Sequence, residues 1–452
     1  MKNKLPVIKT THIIMLCFFC AIVVGSLLLS LPVSSADGKG VPYIDALFTA
    51  TTSVCVTGLV TVPTATSWSV FGQVVILFLI QIGGLGIITV MSAVMIFLHK
   101  RMGIGDRLLL QDAFNLNSIS GVVRFVKRVV AGSLLVEGIG ALLYMTVFVP
   151  EFGVRGIWIS LFNSISAFCN AGMDVIGENS LCGYVFHPLV NAVTCALIIV
   201  GGIGFIVWWD VIDVAKKLPR QGLAALRRFT LHSKIVLATT AILLTAGAGL
   251  FFIFEYNNPS TVGDADVVEK LIFSFFQSVT TRTAGFVTVP QENLTDPSAI
   301  VSLLLMFIGG SPVGTAGGVK TLTFAILLAA AYSNIRGRNN TVMFHRTISN
   351  GDIIKAITVV FSSFTIVFVS TVLLSAASGA SFMDVAYETV SATATVGLSR
   401  NLTSSLNDFG KIIVIVTMYL GRIGPISLAL ALNRKRSNPN VITEPTQNVC
   451  VG

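Results

Sequence analysis

Eight long apolar runs divide this chain, and no other feature restricts its fold as strongly. Each run is long enough to cross a bilayer, which takes about 20 apolar residues as a helix. Only 11% of the residues are charged and 54% are hydrophobic, whereas soluble domains carry about 25% charged residues. The composition excludes a soluble enzyme, a disordered chain and a disulfide scaffold, and it predicts an all-α polytopic membrane protein. The eight predicted spans are 12–32, 71–98, 129–149, 187–209, 234–254, 298–330, 354–377 and 410–432.

Basic residues concentrate on one side of these spans. Segments 99–128, 210–234 and 331–355 and both chain ends contain clusters of lysine and arginine. The positive-inside rule places this side in the cytoplasm, with both termini inside. The apolar run from Ile13 to Leu31 is longer than the apolar region of a cleaved leader, so we expect it to remain as the first span. The basic segments are too short and too poor in aromatics for nucleic-acid binding. Charges that only set the topology are one interpretation; the other, which we predict, is that these segments also contact a cytoplasmic partner.

The connections on the opposite side are acidic and carry one pattern four times. Each contains an apolar stretch that is too short to span and has the length of a re-entrant segment. One glycine aligns within each stretch, at Gly58, Gly172, Gly285 and Gly397, with spacings of 114, 113 and 112 residues. An aromatic residue precedes each glycine by ten positions, at Phe48, Phe162, Phe275 and Tyr387. This periodicity predicts four span–loop–span repeats, 1–98, 99–214, 215–335 and 336–432, followed by a cytoplasmic tail, 433–452.

Four such loops around one axis are predicted to form a cation pathway. Backbone at membrane depth is tolerated only where it lines a watery cavity. The first half of each loop has helical length, and the C-terminal end of that helix would direct negative partial charge toward the axis. The glycine then turns carbonyl oxygens inward, where a ring of them replaces the water shell of a cation. The candidate filter residues are Val56, Thr57, Gly58, Asn170, Ala171, Gly172, Thr283, Ala284, Gly285, Thr395, Val396 and Gly397.

Two features beneath this predicted filter are candidates for a gate. The sixth run contains five glycines and one proline between Gly309 and Gly318, too many for a regular helix. A flexible loop across the pathway is one interpretation, with Lys320 as its anchor, and a packing kink is the other. The candidate gate residues are Gly309, Gly310, Ser311, Pro312, Gly314, Thr315, Ala316, Gly317, Gly318 and Arg422.

Two arginines at membrane depth need a specific explanation. Arg422 occupies the position of a glycine in the Gly-Gly pairs of the other repeats. A charge in an apolar span is costly and points to function by default. Beneath a cation filter it would add an electrostatic barrier, and an ion pair with Glu137 is the alternative. Arg282, three residues before Gly285, is expected to point away from the pathway onto an acid or onto carbonyl groups.

Several motifs resemble the Trk/Ktr/HKT superfamily of potassium transporters. They are Thr52–Gly58 (TSVCVTG), Phe168–Gly172 (FCNAG), Thr280–Phe286 (TTRTAGF), Thr393–Ser399 (TATVGLS) and Gly421–Pro425 (GRIGP). The resemblance covers essentially the whole chain, whose length is most similar to a bacterial Ktr-type membrane subunit. It implies that backbone carbonyls of the filter residues coordinate K⁺, that an intramembrane loop gates the pathway, and that the arginine of the last motif lies in the pore. All four filter glycines are present, as in the K⁺-selective members.

The resemblance also implies partners and a location. It implies a homodimer in the lipid bilayer of the plasma membrane, regulated by a cytoplasmic ring of RCK-type subunits that bind nucleotide. This chain contains no Walker A motif and no dinucleotide-binding glycine motif, so uptake would follow the membrane potential. We therefore expect no cofactor on this chain other than K⁺ ions in the pore.

Other functions stay open at this point. A Na⁺-permeable or weakly selective member of the same superfamily would share every motif above, and so would one whose K⁺ uptake is assisted by Na⁺. A secondary solute carrier would also contain repeats and broken helices, usually with paired acids in the membrane. A membrane enzyme would need His, Cys, Asp or Ser at catalytic spacing, which the sequence lacks, so we predict that the chain is not an enzyme.

Overall fold

The computed structural model describes residues 10–97, 121–338 and 340–424 of the chain. Four long helices, here called the first helices, open the four repeats. They expose large apolar side chains such as Phe361, Phe364 and Phe368, which suits a surface that faces lipid. The first helices are Thr10–Leu29, Val122–Phe152, Leu231–Glu255 and Asn350–Ser378.

A shorter helix, here called the pore helix, follows each first helix. Side chains cap the N-termini of two of them: the Ser381 hydroxyl accepts from the Asp384 amide at 3.2 Å, and Asp266 and Glu269 form a reciprocal capping box. The C-terminal half of each pore helix is almost entirely buried. The pore helices are Tyr43–Cys55, Val154–Cys169, Val267–Thr280 and Phe382–Ala394.

The aromatic residues that align before the glycines do not share one environment. Phe48, Phe162 and Tyr387 are fully buried, whereas Phe275 is 42% exposed. In the third repeat the neighbouring Phe276 is buried instead. Successive helical positions lie about 100° apart, so burying Phe276 turns Phe275 outward. In the third repeat, the aromatic that aligns by spacing is therefore not the one that packs inside.

The second helices, which close each repeat, are broken in more repeats than predicted. The sequence predicts continuous spans over 71–98 and 187–209, but the chain breaks after Leu85 and after Gly202. Gly86 and Gly204 have φ values of 85° and 97°, which a right-handed helix cannot contain. The predicted break in the third repeat is confirmed. The second helices are Val70–Leu85 with Ile87–Phe97, Pro188–Gly202 with Phe205–Gln221, Asp296–Phe307 with Thr321–Ile335, and Asp408–Ile423.

The four repeats close into a ring. Each pore helix packs against the second helix of its own repeat or of the repeat before it, and the second helix of the fourth repeat packs against the first pore helix. Polar contacts cross these boundaries. Lys411 Nζ pairs with Asp45 Oδ1 at 2.7 Å between repeats four and one, and Trp158 Nε1 donates to Gln73 Oε1 at 2.8 Å between repeats two and one. The predicted arrangement around one axis is therefore confirmed.

Two details qualify the expected all-α fold. A short hairpin, Val342–Met343 paired with Arg346–Thr347, precedes the first helix of the fourth repeat. Within the described parts of the chain, four helices are individually long and apolar enough to cross a membrane, and one bent pair adds a fifth. The count of eight spans and the exact repeat boundaries stay predictions. Segment 99–120 and the tail 433–452 lie outside the described residues.

Candidate functional site

The four pore helices end in the same backbone geometry. The residue two positions before each aligned glycine has a positive φ, and so does the glycine itself. In three repeats the intervening residue donates its amide to the carbonyl oxygen five residues earlier, as Thr57 does to Thr52 at 2.8 Å. This local turn redirects the chain away from the helix axis. The two sets of residues are Val56, Asn170, Thr283 and Thr395, then Gly58, Gly172, Gly285 and Gly397.

The aligned glycines bring the four loops together around one point. A Cβ atom on Gly58 would lie within 3.0 Å of the Ala171 carbonyl oxygen, closer than real Cβ atoms come. The other glycines approach the equivalent carbonyl of the next repeat, and Gly397 closes the ring on Thr57. Each of these positions therefore requires glycine for two reasons: its φ is positive, and a side chain would collide with the carbonyl of the next repeat. The carbonyls of the ring belong to Thr57, Ala171, Ala284 and Val396. All twelve predicted filter residues lie in these four turns.

A cavity of about 400 Å³ opens onto the ring, and all four aligned glycines line it. Asp174, Glu178 and Glu292 also line this cavity, which we call the vestibule, whereas none of its lining residues is basic. Burial raises the pKa of the Asp174 carboxyl above its ordinary value, so it loses its charge at a higher pH than an exposed aspartate. A negative cavity raises the local cation concentration. Part of the acidity predicted for this side is neutralised, because Asp45 and Asp384 form ion pairs.

The Gly-rich segment forms a loop, residues 308–320, between two helices of the third repeat. It lies directly under the four turns, because the Gly317 amide donates to Thr283 Oγ1 at 3.2 Å. Its other side rests on the broken second helix of the second repeat. There the Ser311 amide donates to Gly202 O at 2.9 Å, and the Phe205 amide donates to Val313 O at 2.9 Å. A simple kink is therefore the wrong interpretation, since the loop spans the space beneath the ring.

Three cationic side chains bind carbonyl oxygens of this loop. Arg422 Nη1 donates to Thr315 O at 2.9 Å, and its Nη2 donates to Gly83 O in the first repeat. Lys320 Nζ donates to Ala316 O at 2.6 Å, which places the predicted anchor within the loop itself. Arg282 Nη2 donates to Gly309 O at 3.2 Å, so the expectation that it points onto carbonyl groups is confirmed.

The alternative role of Arg422 in an ion pair is not supported. Glu137 accepts from Gln81 Nε2 at 3.0 and 3.2 Å. In the part of the chain that the structure describes, the ion pairs join Lys355 to Asp352, Arg400 to Asp384 and Lys411 to Asp45. Arg422 instead joins the loop of the third repeat to the first repeat, close to the axis on which all four repeats converge.

Comparison with known proteins identifies the family. Residues 10–441 match the family model TrkH, described as a cation transport protein. The chain belongs to this family. It is 41% identical over 415 residues to the Ktr system potassium uptake protein B of Bacillus subtilis (strain 168), covering 92% of this chain and 91% of that protein. It is 38% identical to the potassium/sodium uptake protein NtpJ of Enterococcus hirae, covering 93% of each.

A solved structure of low sequence identity has the same fold. The potassium transporter TrkH from Vibrio parahaemolyticus superimposes with a TM-score of 0.75 at 16% identity, over 96% of this chain and 87% of that one. At this identity the match concerns the fold alone. Membership in a TrkH family of cation transport proteins confirms the prediction of a multi-pass membrane transporter rather than an enzyme.

Hydroxyl side chains of the pore helices hold the turns of this TrkH-family chain, although none of them is among the predicted site residues. Thr52 Oγ1 accepts from the Gly58 amide at 2.9 Å, and Ser391 Oγ accepts from the Gly397 amide at 3.0 Å. Ser166 Oγ accepts from the Met173 amide at 3.2 Å. Each hydroxyl lies six residues before its glycine, a register that the sequence contained. The third repeat differs, because Thr280 Oγ1 donates to Phe286 O at 2.7 Å.

A buried carboxylate supports only the fourth turn. Glu388 is fully buried in its pore helix, and it accepts from Ser399 Oγ and Thr403 Oγ1, both at 2.6 Å. Ser399 lies two residues after Gly397, so these bonds fix the chain immediately outside the ring. The corresponding residues of the other repeats, nine before their glycines, are Thr49, Asn163 and Phe276.

The substitution Glu388→Gln is expected to lower the preference of the pathway for one cation over another. A carboxylate accepts from both hydroxyls with its two oxygens, whereas a glutamine has only one acceptor oxygen and loses one of these bonds. A hydrogen bond to a charged group contributes about 1.5–3 kcal/mol. We expect about a fivefold change in the Rb⁺/Na⁺ flux ratio of reconstituted protein. Glu178→Gln removes a carboxylate from the vestibule lining instead; it is the control and should leave the ratio unchanged. A lower thermal midpoint with an unaltered ratio would contradict this positioning role.

Proposed function

We propose that this chain is a pathway for K⁺ uptake in the plasma membrane, with both termini in the cytoplasm and the vestibule outside. The closed ring of four glycines and four carbonyl oxygens supports this proposal above all. The printed names of its relatives agree: one is a potassium uptake protein and another a potassium/sodium uptake protein. Family membership as a cation transport protein gives no support to the solute-carrier alternative.

The proposed mechanism follows the ion from the vestibule inward. Asp174, Glu178 and Glu292 raise the cation concentration at the mouth. Carbonyl oxygens of the four turns then replace water molecules around the ion. The pore helices present the negative ends of their dipoles to the same region, so no charged side chain is needed in the ring. An inward potential of 100 mV supplies about 2.3 kcal/mol per ion.

The loop 308–320 is the proposed gate. It lies beneath the turns and is bound to the second repeat through backbone hydrogen bonds, so an ion passes only when these contacts rearrange. Its five glycines lower the barrier to such rearrangement. Arg422 holds the loop at Thr315 O and places a positive charge on the path, which slows cations. Flux is therefore expected to be controlled here, and ion preference in the four turns above.

The decisive experiment compares Rb⁺ and Na⁺ uptake into proteoliposomes that contain the purified chain. Vesicles with an inside-negative potential should accumulate radioactive Rb⁺ faster than Na⁺, and protein-free vesicles should accumulate neither. Faster Na⁺ uptake, or equal rates, would favour the Na⁺-permeable alternative that the name of the relative NtpJ suggests. Absence of uptake of both ions by a folded protein would contradict the proposal.

Regulation is proposed to come from a cytoplasmic ring of RCK-type, nucleotide-binding subunits that contacts a homodimer of this chain. The candidate dock comprises segments 99–128, 210–234 and 331–355, of which 99–120 lies outside the described residues. Lys216, Lys217, Arg220 and Arg336 are exposed on the described part. Exposed cations of this kind suit recognition of an acidic protein surface.

Replacing Lys216, Lys217, Arg220, Arg336 and Arg338 with glutamine is therefore expected to weaken capture of the regulatory subunit by about tenfold or more. A pull-down at two salt concentrations measures this effect, and higher salt should weaken capture by the unchanged chain in the same direction. Lys39→Gln with Arg155→Gln, at exposed positions on the opposite side, is the control. Equal capture by all three proteins would contradict the proposed dock.

A further inference from the structure

A second large cavity lies at the end of the molecule opposite the vestibule. It measures about 430 Å³ and is formed between the start of the first helix of the third repeat and the hairpin 342–347. Four basic residues line it together with three apolar residues and one threonine. The eight are Arg227, Arg228, Lys234, Arg346, Phe229, Leu231, Phe344 and Thr230. We call it the basic cavity.

The positive charges of the basic cavity have no carboxylate partner. Among the described residues none of the four bases forms an ion pair, and Lys234 Nζ donates only to a backbone oxygen, Arg227 O, at 2.9 Å. Asp210 is close in space but does not line the cavity. Its Oδ2 accepts from the Thr230 amide at 2.9 Å and from Thr230 Oγ1 at 2.8 Å. Four cations without an ion pair outnumber this single carboxylate behind the lining, so the cavity keeps a net positive charge that favours an anion.

The position of the basic cavity indicates which anion is available. Leu231 begins a helix of 25 residues, about 37 Å long, whose other end lies on the vestibule side. Arg346 lies four residues before Asn350, where the first helix of the fourth repeat begins. The cavity therefore lies where two membrane-spanning helices leave the bilayer. At this depth the phosphate groups of lipids are the most abundant anions, and basic pockets between helices bind such headgroups.

The surroundings of the cavity combine charge with exposed apolar surface. Phe344 is half-exposed at its rim. The helix that follows the hairpin exposes Ile354 and Ile357 within its first two turns. A free phosphate ion would contact only the bases, whereas a phospholipid would also cover these apolar side chains. We propose that the basic cavity binds the phosphate group of an anionic phospholipid, with its acyl chains along the start of the fourth repeat. This inference does not depend on the ion carried or on the filter assignment.

The test uses the purified full chain in a neutral detergent and native mass spectrometry. Dioleoylphosphatidylglycerol and dioleoylphosphatidylcholine are titrated separately, and the bound lipid is counted. The unchanged protein should retain the anionic lipid preferentially. The triple variant Arg227→Gln, Arg228→Gln, Arg346→Gln should bind it about tenfold or more weakly, since each base near the membrane surface contributes to such binding. Binding of the neutral lipid should not change.

A second triple variant makes the experiment specific to the cavity. Lys216→Gln, Lys217→Gln, Arg220→Gln removes the same charge from exposed positions of a neighbouring helix outside the cavity, and it should bind the anionic lipid normally. If both variants lose binding of the anionic lipid equally, the lipid is attracted by the overall positive charge of this surface, and the proposed site is wrong. Displacement of the lipid by an equal concentration of inorganic phosphate would show a site for free anions and overturn the lipid assignment.

Two further outcomes also decide the question. Unchanged lipid binding by the cavity variant would overturn the proposal whatever the thermal midpoint of that variant. If that variant retains the lipid but loses the cytoplasmic regulatory subunit in a pull-down, the cavity is a protein-binding surface and the lipid assignment is wrong. Rb⁺ flux is measured in parallel, because failure of the flux test concerns the transport proposal and not the lipid site.

Discussion

The substitution Gly172→Ser is expected to remove most of the preference for Rb⁺ over Na⁺, by about tenfold or more in the flux ratio, which corresponds to about 1.4 kcal/mol. Gly172 has a φ of 64°, where a residue with a Cβ is strained. That Cβ would lie 2.6 Å from Ala284 O and 2.8 Å from Gly285 Cα. Both neighbours are backbone atoms in the next turn, so neither can move without displacing a carbonyl of the ring.

A graded series and a matched control test this expectation. Gly172→Ala adds only the methyl carbon and should give an intermediate loss, since the same two contacts limit it. Gly177→Ser also lies on the vestibule, but its φ is not positive and nothing stands within 4 Å of an added Cβ. It should transport like the unchanged chain. If all three variants keep the unchanged Rb⁺/Na⁺ ratio, the four turns do not determine ion preference.

The substitution Arg422→Ala is expected to raise the Rb⁺ flux by about tenfold without altering the Rb⁺/Na⁺ ratio. It removes the hydrogen bonds to Thr315 O and Gly83 O, and a hydrogen bond from a charged donor contributes about 1.5–3 kcal/mol. The loop then rearranges more readily, and a positive charge leaves the path. Ion preference stays, because the turns above the loop keep their own contacts.

This result would separate the gate from the filter, since the Gly172 and Arg422 variants change different quantities. Arg124→Ala, at an exposed position at the start of a first helix, is the control for loss of one arginine. Initial rates of Rb⁺ and Na⁺ uptake in the same vesicle preparation measure both effects. A flux that falls in Arg422→Ala, with the protein folded, would mean that the arginine supports the open pathway instead.

The architecture was predictable because it depends on patterns that local physics controls. Apolar runs of spanning length predict helices in a bilayer whatever their neighbours, and the spacing of Gly58, Gly172, Gly285 and Gly397 predicts four equivalent turns. The concentration of glycine between 309 and 318 predicted a break. The breaks at Gly86 and Gly204 were missed, since one positive-φ glycine within an apolar run looks the same as a glycine that a helix tolerates.

The support of the turns was only partly predictable. Thr52, Ser166 and Ser391 keep a fixed register before their glycines, so the sequence contained their positions but not the amides they bind. Glu388 has no counterpart in the other repeats, and no comparison among repeats could indicate that Ser399 and Thr403 would donate to it. The partners of this buried carboxylate depend on the path of the chain after Gly397, which brings Ser399 and Thr403 back to the pore helix.

The sequence by itself determined a membrane fold of four repeats, the glycine turns and the presence of a non-helical loop in the third repeat. Each helix, turn and break is set by residues that lie close together in the chain, and the regular spacing of the aligned glycines shows that the unit occurs four times. Only the tertiary structure decided which carbonyl faces each glycine, that Arg422 binds the loop rather than Glu137, and that bases from two repeats share one cavity. Arg422 reaches partners 107 and 339 positions away, and contacts at such separations depend on how the repeats close into a ring.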